Sequence, residues 1–92
     1  MISATTRPQL AAKARLRFDR QSSRYMLLYP EKGLELSPTA ADIVKLCTGE
    51  HTVAAIVTQL AEKYDTAAPD VEREVLAFLG ALADRGLVRD AV

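Results

Sequence analysis

The sequence predicts an α+β domain in which a small N-terminal antiparallel β-meander precedes a three-helix bundle. Three observations carry that prediction. Tyr25–Tyr29, a turn around Pro30 and Gly33–Leu36 read as a hairpin. Ser37-Pro38 opens a helix directly after it, and two longer segments beyond Thr52 repeat apolar side chains at the helical period. Ninety-two residues make one domain that buries roughly two-thirds of its unfolded surface. That supports a single core and no deep substrate cavity.

Residues 1–13 lack strong periodicity and read as a flexible arm, leaving 14–92 as the folded body. Arg15-Leu16-Arg17-Phe18-Asp19 alternates as a strand with one wet face, giving a first strand over about 14–19. In the second strand, about 25–29, Met26 and Leu28 make one face apolar and Tyr25, Leu27 and Tyr29 the other. A central strand covered on both sides explains that pattern. Pro30 fits a turn, and Gly33-Leu34-Glu35-Leu36 alternates as a third strand.

Ser37 is a good N-cap and Pro38 suits the first helical position, so a helix is expected over about 38–47, stopped by Thr48-Gly49. Thr52 caps a second helix, about 53–64. There Val53, Ile56, Val57, Leu60, Ala61 and Tyr64 share one face. Pro69 or Asp70 opens a third, about 70–85, which Gly86 ends; Leu87-Val88-Arg89 adds a short terminal strand. On the third helix Val71, Val75, Phe78 and Leu82 gather on one side, with Leu79 at its margin. Leu76 and Ala83 lie beyond it and Gly80 further round. This surplus is either a wide core face or the apolar wall of a groove, with Gly80 admitting another backbone.

Twelve basic and twelve acidic side chains cancel overall. Their distribution is uneven, because Arg7, Lys13, Arg15, Arg17, Arg20 and Arg24 outweigh Asp19 and leave +5 on residues 1–24. That end suits an acidic partner or a solvated arm. Cys47 is the sole cysteine and fits a buried small hydrophobe. His51 is the sole histidine and sits in a polar turn. No nucleophile motif, phosphate loop or dinucleotide fingerprint is present, so no enzyme and no metal is expected. No apolar run approaches the ~20 residues that span a bilayer, and the expected setting is cytoplasmic, with no membrane partner. Strands followed by three helices also match winged-helix DNA-binding regulators. Against that alternative, the third helix holds Asp70, Glu72, Glu74 and Asp84 against Arg73 and Arg85, and a duplex would repel it. A sheet edge beside a helical body suits an extended peptide better than nucleic acid or catalysis.

Arg15-Leu16-Arg17-Phe18-Asp19, Leu27-Leu28-Tyr29-Pro30-Glu31, Leu46-Cys47-Thr48-Gly49, Thr52-Val53 with Ile56, Phe78-Leu79 and Gly86-Leu87-Val88 resemble the PqqD family of pyrroloquinoline quinone biosynthesis. The similarity runs from about Pro8 in order and at family-like spacing. One departure is Thr48, where the family often has aspartate. The resemblance implies a winged-helix-like, non-catalytic peptide chaperone without cofactor. It would bind the ribosomal precursor peptide PqqA as an added strand between the third strand and third helix. It would present the peptide to the radical S-adenosylmethionine enzyme PqqE, which cross-links a glutamate and a tyrosine. The expected peptide site is then Gly33, Leu34, Glu35 and Leu36, faced by Leu76, Leu79, Gly80 and Ala83, with Arg73 as a further contact. Lys13, Arg15 and Arg17 are the expected surface for the enzyme. The arm and short strands offer a route to a homodimer by strand or arm exchange.

Overall fold

The computed structural model describes residues 2–30 and 32–91; Met1, Glu31 and Val92 lie outside the described residues. Its elements in chain order are β1 (Pro8–Leu10), β2 (Arg15–Asp19), β3 (Arg24–Tyr29), β4 (Lys32–Leu36), α1 (Pro38–Lys45), α2 (Val53–Tyr64), α3 (Ala68–Asp84) and β5 (Val88–Asp90). The expected meander is β2-β3-β4, antiparallel throughout, with Leu16↔Leu27↔Leu34 aligned across it. Its inner face turns Leu27, wholly buried, toward the helices, where Val53, Ile56, Val75, Leu79 and Leu82 complete the core.

Local chemistry sets the helix ends. Ser37 accepts from the Ala40 N–H at 3.1 Å and Thr52 from the Ala55 N–H at 3.1 Å, each satisfying an orphan first-turn donor. α1 stops at Lys45, two residues earlier than expected, because the Leu46 and Cys47 N–H groups bond back to Ile43 and Val44 in a tighter final turn. α3 starts one turn-residue ahead of Pro69, so proline occupies its first turn, where it lacks no needed donor. Gly86 takes φ +70 beyond α3, and its N–H reaches the Ala83 carbonyl at 2.9 Å.

The expectation of a flexible arm over residues 1–13 is corrected. Pro8–Leu10 pairs antiparallel with Val88–Asp90, in register Gln9↔Arg89. On its other side Leu10 donates to the Cys47 carbonyl at 3.0 Å, and Gly49 donates to that of Pro8 at 3.0 Å. Upstream, the Thr6 and Ala4 carbonyls accept from Val53 and Ala54, at 2.9 and 3.0 Å. These two donors belong to the first turn of α2, where a helix leaves N–H groups unpaired. The segment is held because it supplies what α2 lacks. The terminal strand therefore belongs to a separate two-stranded ribbon and does not join the meander.

The expectation that β3 is covered on both faces is also corrected. Its Met26 and Leu28 are only partly buried and share the outer face with Arg15, Arg17, Gly33 and Glu35. No helix of the described residues is long and apolar enough to cross a membrane.

Candidate functional site

β4 is an outer strand, so one side of its backbone has no neighbour within the sheet. Antiparallel pairs alternate between hydrogen-bonded and open, and a two-residue connection leaves its closing pair bonded. The ladder closes at Tyr29↔Lys32, which makes Leu28↔Gly33 and Met26↔Glu35 the open pairs. The N–H and C=O groups of Gly33 and Glu35 therefore point away from β3, toward the free edge. Leu36 is 3% exposed and anchors the strand against the core, while Leu34 is half-buried.

Side chains from α1 and α3 border the far end of that strand. Ser37, Thr39, Ala40 and Ile43 form a shallow depression of about 490 Å³ with Glu74, Ala77 and Phe78. At the opposite end of α3, Arg85 donates to the Tyr29 hydroxyl at 3.4 Å, beside the Tyr29↔Lys32 pair. Both contacts use one flank of the helix, the side carrying Glu74, Phe78 and Arg85.

The structure gathers Gly33, Leu34, Glu35 and Leu36 on one strand as expected, and it distributes the expected α3 wall differently. Leu79 is wholly buried in the core and exposes nothing. Leu76, Gly80 and Ala83 lie roughly 140–160° round the helix from Phe78, on the other side of the core stripe. A Cβ on Gly80 would meet no atom within 4 Å, so that position opens outward. Arg73 bonds the Asp70 carboxylate of its own helix at 3.1 Å. Sequence periodicity found the core stripe of α3, but a helical wheel does not say which flank borders the sheet. Periodicity gives no role to Glu74, Ala77 and Arg85, and it places Phe78 beside Val71, Val75 and Leu82, where it is only partly buried.

The basic positions also separate. Arg15 and Arg17 stand on the outer face of the meander. Lys13 reaches to the end of α3, with its Nζ 3.4 Å from where a Gly86 Cβ would stand. Arg24 pairs with Glu35 at 3.3 Å, both more than half exposed; such a pair contributes below ~1 kcal/mol. Asp42, 13% exposed, accepts from Lys63 at 2.9 Å and from the Tyr64 hydroxyl, joining α1 to the end of α2. Partial burial pushes the Asp42 carboxyl up, but the Tyr64 and Lys63 hydrogen bonds more than offset it, and the group lies below its ordinary range.

Cys47 is 4% exposed, and its Sγ donates to the Ile43 carbonyl at 3.2 Å. Burial pushes the thiol up to about 12, which disfavours the reactive thiolate. Thr48 Oγ1 accepts from the Glu50 N–H at 3.3 Å, which keeps the turn that an aspartate would also support. Among the described residues no three His, Cys, Asp or Glu side chains gather as a metal site.

The fold and its open edge define a small winged-helix-like α+β domain. The family model of coenzyme PQQ synthesis protein D (PqqD) matches residues 24–88, and the chain belongs to that family. A PqqA binding protein of Rhodopseudomonas palustris (strain TIE-1) is 40% identical over 98% of this chain and 88% of its own length. The solution structure of the PqqD part of Methylobacterium extorquens PqqCD, described as a functional, stand-alone recognition element for ribosomally synthesised, modified peptides, superposes with a TM-score of 0.84. It is 31% identical, over 97% of this chain and 95% of that one. A lasso peptide synthetase B1 solved with its leader peptide shares the fold at 22% identity. Its TM-score is 0.77, covering 90% of this chain and 98% of that one.

Proposed function

We propose that this domain recognises the ribosomal precursor peptide PqqA in pyrroloquinoline quinone biosynthesis, binding it as an added strand along β4. The single observation that carries the reading is the free edge of Gly33 and Glu35 beside the α1–α3 depression. Strand addition needs unpaired backbone groups for affinity and a neighbouring side-chain surface for selectivity. Family membership and the PqqA binding proteins among its relatives support the choice of ligand. Within this reading the α3 wall is Glu74, Ala77, Phe78 and Arg85, replacing Arg73, Leu76, Leu79, Gly80 and Ala83.

The domain acts as a chaperone without catalysis or cofactor, working in the cytoplasm and presenting the peptide to the radical S-adenosylmethionine enzyme PqqE. Arg15 and Arg17 on the outer face, with Lys13 beyond, serve that encounter, and the groove stays open to the peptide. The meander's second outer strand, β2, leaves strand exchange as a route to a homodimer. Titration of the isotopically labelled domain with PqqA, then with PqqE, tests the scheme. Amide shifts should cover Lys32–Leu36 and the Glu74–Arg85 flank. Shifts confined to Arg15–Asp19 would put the peptide on the opposite edge and overturn the assignment. Salt-sensitive binding of duplex DNA, with no response to peptide, would favour the regulator instead.

A further inference from the structure

At the hairpin between β2 and β3 an aromatic ridge stands in water. Phe18 is 48% exposed, although it belongs to the Phe18↔Tyr25↔Leu36 row of the sheet's inner face. Its ring meets Tyr25 edge-on, centroids 5.1 Å apart, and the Lys45 ammonium lies 4.2 Å from the Tyr25 centroid. On one side of Phe18 a cleft of about 460 Å³ runs between the hairpin and α1, floored by Tyr25, Leu36 and Ala41. On its other side a second depression of about 470 Å³ is floored by Met26 and Leu28. Ser23, left-handed at φ 57, shapes the loop between the strands.

Basic side chains outnumber acidic ones around this ridge. Arg17, Arg20, Arg24 and Lys45 border the two depressions. The nearby carboxylates are engaged within the domain. Asp19 accepts from the Gln21 N–H and the Ser22 hydroxyl, both at 3.0 Å, Glu35 holds Arg24, and Asp42 holds Lys63 and Tyr64. Arg17 and Arg20 enter no ion pair among the described residues. An exposed aromatic ringed by arginines has the composition of an interface centre. The patch centres on β2, the strand on the far side of β3 from β4, so the free edge of β4 remains available.

We propose that Phe18 is the anchor of a second docking surface, which takes an acidic protein segment carrying a central apolar side chain. That side chain packs against Phe18 in the cleft floored by Tyr25, Leu36 and Ala41, and its flanking carboxylates meet Arg17, Arg20 and Lys45. Resting on the reading that this domain hands its peptide to an enzyme, the segment belongs to that enzyme. The occupant is distinct from the precursor strand on β4.

The test uses the full chain in two assays. In the first, Phe18→Ser weakens enzyme binding by about tenfold or more and Phe18→Leu by less, while precursor-peptide affinity stays within about twofold. Arg17→Glu with Arg20→Glu slows enzyme association and flattens its salt dependence. In the second, a blocked hexapeptide Glu-Asp-Leu-Phe-Asp-Glu is added to the labelled domain without enzyme or precursor. It shifts Phe18, Ser22, Tyr25 and Lys45, and its lysine counterpart does not. Unchanged enzyme binding by folded Phe18→Ser overturns the proposal, as do hexapeptide shifts at Lys32–Leu36. Absence of precursor binding by the wild type defeats the functional reading alone, because the hexapeptide assay still decides the surface.

Discussion

Glu35 separates backbone from side-chain recognition at one position. Its amide points to the free edge, so Glu35→Pro deletes a donor offered to the peptide and leaves the β3–β4 ladder, bonded through Leu34 and Leu36, intact. Proline is tolerated at such edge positions, and the fold should survive. Glu35→Ala keeps both backbone groups and loses only the 3.3 Å pair with Arg24, whose partners are 55% and 56% exposed. That pair contributes little, so Ala should bind the peptide within about twofold of wild type. Proline forfeits one net hydrogen bond, about 0.5–1.5 kcal/mol, and sets its ring against the incoming strand. Together these predict an affinity loss of about tenfold or more. Calorimetry with PqqA on both variants, alongside melting curves to verify folding, measures the difference. Equal affinities for two folded variants would refute main-chain pairing at this edge.

Other expectations follow from the same geometry. Ala77→Glu should weaken peptide binding several-fold by charging the depression it shares with Ile43 and Phe78, whereas Gly80→Val, which faces outward, should bind normally; peptide titrations of both decide which flank is the wall. The Asp42 carboxyl is depressed in the folded state, so its stabilisation is complete above about pH 4 and is lost as pH falls through the lower folded value. Melting temperatures from pH 2 to 7 should show that acid limb shrink in Asp42→Asn. Cys47, buried and with its thiol pushed up to about 12, stays protonated at pH 8; thiol-reagent kinetics should therefore be slow until denaturant unfolds the chain.

The meander, the helix caps and the core stripes were legible because each rests on local pattern. Alternation marked β2 and β4, Ser37 and Thr52 supplied caps, and Val53, Ile56, Val57 and Leu60 kept one face inward as periodicity requires. Non-local pairing was not legible. β1 is three residues long and finds its partner at Val88–Asp90, at the other end of the chain, so no short-range signal marks it. The covered second face predicted for β3 failed for a related reason. Met26 and Leu28 fold over the side-chain-free Gly33, whose Cβ would stand 3.4 and 3.3 Å from them, and so gain partial shelter without another layer. The β4 edge was readable as an alternating strand. The flank of α3 that lies beside α1 was not, because both flanks carry apolar side chains and only packing decides between them.

Hydrogen exchange at β4 tests the central claim most directly, because the ladder predicts an alternating signature. In the free domain the Leu34 amide, bonded toward β3, should be protected, while those of Gly33 and Glu35 exchange quickly. Saturating PqqA should slow Gly33 and Glu35 selectively and leave Leu34 little changed. Gly33 and Glu35 amides that exchange equally fast with the peptide bound would contradict strand addition along β4.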